Sequence, residues 1–208
     1  MKRLRGIVVP IVTPFDGSGR VDTEALKNLC DYLIDHGVHG LYPCGTTGEA
    51  VLLTDEERKT VAEVAVGHVG GKVPVFIHVG AASTQSAMDL AKHAVDIGAD
   101  GIAAVTPYYF KLSQEALIRY YEQIVSVIPS DYPFYIYNIP GCTGNDITPA
   151  TVGYLAQEHP NVVGIKNSMS DILRAQEYLN CREDFSVMLG NDSLIAMGVL
   201  IGCDGAVS

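Results

Sequence analysis

Gly98-Ala99-Asp100-Gly101-Ile102-Ala103-Ala104-Val105 reads as a joint between a helix and a strand. The first glycine suits the left-handed position that ends a helix, and the second allows close packing where a strand begins. The apolar run Gly101–Val105 then reads as a buried strand. The same joint recurs at Gly37-Val38-His39-Gly40 and at Gly202-Cys203-Asp204-Gly205. A repeated helix-to-strand joint implies parallel strands connected by helices.

Working outward, eight strand-like runs are expected: Gly6–Val12, Gly40–Cys44, Val75–Val79, Gly101–Val105, Phe134–Tyr137, Val162–Lys166, Ser186–Leu189 and Gly205–Val207. Seven helical segments separate them. Thr54-Asp55-Glu56-Glu57 forms a capping box, and Thr148-Pro149 places an N-cap before a first-turn proline. Asn191-Asp192 offers a cap before the helix expected at Leu194–Ile201. With no linker or low-complexity stretch, residues 1–208 read as one α/β domain. Eight strands fit a closed (β/α)8 TIM barrel. An open doubly wound sheet is the competing architecture, but no G-x-G-x-x-G follows the first strand. The chain stops just after the eighth strand, so the expectation is a barrel truncated there and lacking its last helix.

The composition supplies a core, with 48% hydrophobic residues. Asp and Glu (24) outnumber Lys and Arg (14), for a formal charge of −10, which argues against nucleic acid or an anionic membrane surface as partner. Five cysteines without a C-x-x-C pair read as reduced, cytoplasmic usage. Pro10 and Pro14 interrupt the N-terminal apolar run, so it is not read as a signal peptide. No stretch approaches the roughly 18 apolar residues that span a bilayer.

In a barrel, the chemistry gathers at the C-terminal ends of the strands. Lys166 ends the sixth run, where two readings are open. The strand could stop at Ile165 and let the ammonium reach solvent. Alternatively, burial lowers its pKa and leaves a nucleophilic amine. The Gly45-Thr46-Thr47-Gly48 turn is either an ordinary loop or an anion nest with two hydroxyls. Tyr137 ends the strand before that of Lys166 and is placed either to line the barrel or to shuttle protons. Tyr108-Tyr109 sends one ring towards the site and the other towards a subunit contact, if extended. His78 reads as a core residue. The histidine spacing offers no metal site, and Cys44 and Cys142 have no evident His partner.

Gly45-Thr46-Thr47-Gly48-Glu49, Tyr137-Asn138-Ile139-Pro140-Gly141 and Gly164-Ile165-Lys166 fall in this order at strand ends. Together with Thr13-Pro14-Phe15 and Thr106-Pro107-Tyr108-Tyr109, they resemble the dihydrodipicolinate synthase/N-acetylneuraminate lyase family of class I aldolases. The resemblance implies that Lys166 forms a Schiff base with pyruvate or a pyruvate-derived keto acid, and that Tyr137 donates and accepts protons. It also implies a relay of Thr46 and Tyr109 with Tyr137, Tyr109 reaching in from a neighbouring subunit of a homotetramer. Thr47 and the backbone near Val207 would hold the keto-acid carboxylate, and Gly190 and Asp192 would meet the rest of the substrate. The partners implied are a keto acid and an aldehyde, with no metal or organic cofactor. Family members continue past this point with a last barrel helix and a helical C-terminal region.

One departure bears on substrate. Where dihydrodipicolinate synthases usually carry an arginine, this chain has Cys142. A thiol cannot replace a bidentate guanidinium. The expectation is therefore cleavage of a 2-keto sugar acid. 4-Hydroxy-tetrahydrodipicolinate synthase is the alternative within the family, and a non-catalytic keto-acid-binding barrel is the alternative from another class.

Overall fold

The computed structural model describes residues 2–208. Strands and helices alternate in the order β1 (Gly6–Val9), α1 (Thr23–Asp35), β2 (Gly40–Leu41), α2 (Asp55–Val69), β3 (Phe76–His78) and α3 (Thr84–Asp96). They continue as β4 (Gly101–Val105), α4 (Gln114–Val125), β5 (Phe134–Asn138), α5 (Pro140–Thr143), α6 (Pro149–Glu158) and β6 (Val162–Asn167). The chain ends with α7 (Ile172–Leu179), β7 (Ser186–Leu189), a 3-10 turn (Asp192–Leu194), α8 (Ile195–Ile201) and β8 (Gly205–Val207).

All strand pairs are parallel, in the order β2-β1-β8-β7-β6-β5-β4-β3. A Leu41–Val75 bridge joins the two ends of this ladder, so the sheet closes into the expected (β/α)8 barrel. The first three strands are shorter than the sequence suggests. Pro10 and Pro43 have no N–H to donate and end β1 and β2 early. Among the described residues the helices number eight rather than seven, because the four-residue α5 follows β5 directly. The last helix begins at Ile195, after a 3-10 turn whose Ser193 N–H donates to the Asn191 side chain.

The helix-to-strand joints behave as read. Gly37, Gly98 and Gly202 have φ of 80°, 76° and 104°, the region that a side chain disfavours. A Cβ on Gly101 would sit 2.3 Å from the Phe76 ring, so only glycine lets that ring enter the barrel. Val8, Tyr42, Phe76, Ala103, Tyr135, Val163, Met188 and Val207 form one buried cluster, with a residue from each strand or its immediate end. They fill the barrel, while a larger cluster lies between the strands and the helices.

Candidate active site

The turn after β2 is held in an unusual shape. Cys44 and Glu49 have φ of 60° and 57°, and strain of this kind persists only where the surroundings impose it. Thr13 Oγ1 donates to the Gly48 carbonyl at 2.7 Å, His78 Nδ1 lies 2.8 Å from the Cys44 carbonyl, and Arg58 Nη2 donates to the His78 carbonyl at 2.9 Å. His78 is thus a structural residue, as expected. Burial, with Arg58 close by, pushes its pKa well down and keeps the ring neutral. The turn it supports presents Thr46 and Thr47 at the barrel mouth.

Lys166 is 4% exposed. It takes part in no salt bridge or hydrogen bond among the described residues. Burial alone lowers its pKa from 10.5 to about 7. A local irregularity decides that it faces inward. Phe134 pairs with Val162 but Tyr135 pairs with Gly164, so β6 carries one extra residue there. Val163 packs in the barrel cluster and Ile165 in the outer one, which leaves Lys166 pointing into the barrel. Strict alternation from Val163 would have turned Lys166 outward.

Beyond the bulge, Tyr137 and Lys166 stand side by side in register. The Lys166 Nζ lies 4.3 Å from the centre of the Tyr137 ring and 4.8 Å from that of Tyr42. Tyr137 is buried, and its hydroxyl is 3.2 Å from Thr46 Oγ1. Burial raises the Tyr137 pKa, opposed by hydrogen bonding from Thr46 and Ser168. An amine, a phenol and an alcohol are therefore gathered at one rim, the phenol and the alcohol within hydrogen-bond reach of each other.

A cavity of about 380 Å³ opens over Lys166. It brings together Thr46, Thr47, Tyr137, Lys166, Gly190, Asp192 and Val207, seven of the eight residues expected from the sequence. The eighth, Tyr109, stands apart in this chain: it is 88% exposed, has φ of 82°, and packs edge-on against Phe110. The sequence reading overlooked Ser168 and Tyr42. Ser168 follows Lys166 by two residues, a spacing that points to the same rim. Tyr42 sits where β2 meets the loop and carried no motif. A second chamber, about 420 Å³ and mostly apolar, shares Thr46 and Ile139 with the first and is bordered by Cys142, Tyr108 and Val51.

The dihydrodipicolinate synthetase family model matches residues 3–208. The chain belongs to that family. An uncharacterized DapA-like lyase of Halobacterium salinarum is 38% identical over 205 residues, which cover 99% of this chain and 66% of that protein. A probable 2-dehydro-3-deoxy-D-pentonate aldolase of Escherichia coli is 40% identical over 212 residues, covering 100% of this chain and 70% of the relative. The crystal structure of dihydrodipicolinate synthase from Aquifex aeolicus superposes with a TM-score of 0.95 at 38% identity, covering 99% of this chain and 69% of that one. The family chain described here thus spans about two thirds of the length of its relatives. No helix among the described residues is long and apolar enough to cross a membrane.

Proposed function

We propose that this family member is a lysine Schiff-base lyase, making or breaking a C–C bond in pyruvate or a 2-keto sugar acid. The observation that carries the reading is Lys166: buried, without an ionic partner among the described residues, and with its Nζ over the Tyr137 ring. With a pKa of about 7, about half of the Lys166 side chains are free amine at neutral pH.

The steps follow from the groups present. The Lys166 nitrogen attacks the keto carbon, forming a C–N bond while the carbonyl oxygen takes a proton through Tyr137 and Thr46. Loss of that oxygen as water leaves an iminium. Breaking the C–C bond then places its electron pair in the conjugated enamine and releases an aldehyde, the hydroxyl proton passing to Tyr137. Protonation of the enamine and hydrolysis of the iminium release pyruvate and regenerate the amine. The iminium serves as electron sink, so the chemistry calls for neither a metal nor an organic cofactor.

Thr47, the neighbouring backbone and the Val207 region suit the keto-acid carboxylate, while Gly190 and Asp192 suit its distal part. Tyr109 completes the relay from a neighbouring copy in a cytoplasmic homotetramer. Residues 1–208 serve as the barrel.

Both substrate readings draw support from relatives, since one is named as a pentonate aldolase and another as a dihydrodipicolinate synthase. Cys142 favours the sugar-acid reading. Borohydride reduction with pyruvate should add a stable mass to the peptide bearing Lys166; absence of that adduct would remove the Schiff-base reading. Pyruvate release across a panel of 2-keto sugar acids, beside condensation with aspartate semialdehyde, separates the two substrates. Pyruvate binding without turnover on any member would favour the non-catalytic barrel.

A further inference from the structure

Once Lys166 becomes an ammonium or an iminium, a positive charge lies in a buried chamber with no protein carboxylate paired to it among the described residues. The titratable and charged groups that face it can be taken element by element. Tyr137 comes from β5, Tyr42 from the end of β2, and neutral His78 from β3, with Arg58 of α2 behind His78 on its carbonyl. Asp192, after β7, lines the cavity but is exposed and forms no ion pair with Lys166 among the described residues. What meets the nitrogen is a cup of rings. Tyr42 and Tyr137 cross edge-to-face at 87° with centres 6.4 Å apart, and Tyr137 stands at 86° to His78.

We propose that the π-face of Tyr42, with that of Tyr137, serves as the counter-charge for the cationic states of Lys166. This inference rests on the Schiff-base reading of Lys166 for its catalytic meaning. Two observations carry it besides the 4.8 Å contact. Tyr42 is fully buried, yet no group among the described residues hydrogen-bonds its hydroxyl, so the ring rather than the hydroxyl accounts for its place. A Cβ on Gly45 would come within 2.9 Å of the Tyr42 ring edge, so the substrate-side turn is itself packed on that ring and restrains it.

The chemistry explains why rings suit this site better than an acid. A buried carboxylate would hold the lysine protonated and suppress its attack on a ketone. An aromatic face attracts a cation less strongly than an ion pair does, so it steadies the iminium while leaving the free amine accessible near neutral pH. Tyr42 thus acts through Lys166, as a positioning and charge-balancing residue.

The test keeps shape constant and changes only the ring face. Tyr42→Phe is the reference, and phenylalanines carrying one, two and three ring fluorines replace it at position 42 in the intact protein. Two quantities are read: the titration midpoint of Lys166 by NMR of the ¹⁵N-labelled side chain, and the pH dependence of borohydride trapping with pyruvate. Each fluorine should lower the midpoint, by roughly half to one pH unit across the series, and kcat should fall roughly three- to tenfold with KM little changed. Midpoints that coincide across the series would overturn the inference even where the wild type traps pyruvate normally. If the wild type fails to trap pyruvate while the midpoint still falls with fluorination, the Schiff-base reading fails and the counter-charge remains.

Discussion

Lys166 and Gly190 are packed so closely that a Cβ at position 190 would lie 3.1 Å from the lysine Cε. The same Cβ would lie 1.9 Å from Ser168 Oγ, far inside contact distance. The residue that follows β7 therefore presses on both Lys166 of β6 and the Ser168 hydroxyl beside it.

Gly190→Ala should displace Ser168 and tilt Lys166, at a stability cost of about 1–3 kcal/mol from overpacking. The rate of pyruvate trapping should fall by about tenfold or more, because catalytic geometry tolerates little displacement. Removing the clash gives a check: the double variant Gly190→Ala, Ser168→Ala should recover part of that rate. Lack of any recovery would show that Ser168 does not transmit the strain.

Burial of Lys166 also makes stability depend on pH. Unfolded, the amine holds its proton up to 10.5, but folded only up to about 7. Between these values the unfolded chain binds more protons, so stability rises with pH across that window. Below it both states are protonated and the full burial cost applies, as much as roughly 5 kcal/mol for a difference of this size. Lys166→Met should melt well above the wild type at about pH 6, with the gap closing as pH rises towards the unfolded value. A gap independent of pH, followed by calorimetry, would mean that Lys166 is not held in a desolvated place.

The Thr46–Tyr137 contact predicts a split between two variants. Thr46→Val removes the hydrogen bond that opposes burial at Tyr137, so the phenol pKa should climb further and the pyruvate-release rate should fall by about 10- to 100-fold. Thr46→Ser keeps the hydroxyl and should retain most activity. The fold should lose only about 1 kcal/mol in either case. Equal losses for Val and Ser in steady-state assays would point to the methyl group instead.

Tyr109 is exposed in the single chain, so Tyr109→Ala should change chain stability by less than about 0.5 kcal/mol. Its effect on turnover should be large if it reaches into a neighbouring copy. Mixing Tyr109→Ala subunits with Lys166→Ala subunits, each impaired alone, should restore part of the activity. A mixture no more active than its components would count against the shared site.

Much of the fold was readable from local pattern. The three Gly-x-x-Gly joints marked helix ends and strand starts because positive φ favours glycine wherever it occurs. Strand lengths were less legible: prolines cut the early ladders short, whereas the shared Asn138–Asn167 register carried β5 and β6 one residue further. The rim residues were legible because each lies at the C-terminal end of a strand or in the loop that follows it. Tyr42 was not, since a buried aromatic next to a strand looks like any core residue until the lysine is seen above it.

By itself the sequence determined the alternation of strands and helices, the barrel, and which side chains gather at one rim, because these follow from short-range periodicity and from parallel connectivity. The orientation of Lys166 was decided in the tertiary structure. A period of two along β6 would turn it away from the barrel, and the extra residue opposite Phe134 and Tyr135 turns it in. Whether a strand bulges depends on the ladder it must match on the neighbouring strand, and that ladder exists only once the connecting helices have folded β6 back beside β5.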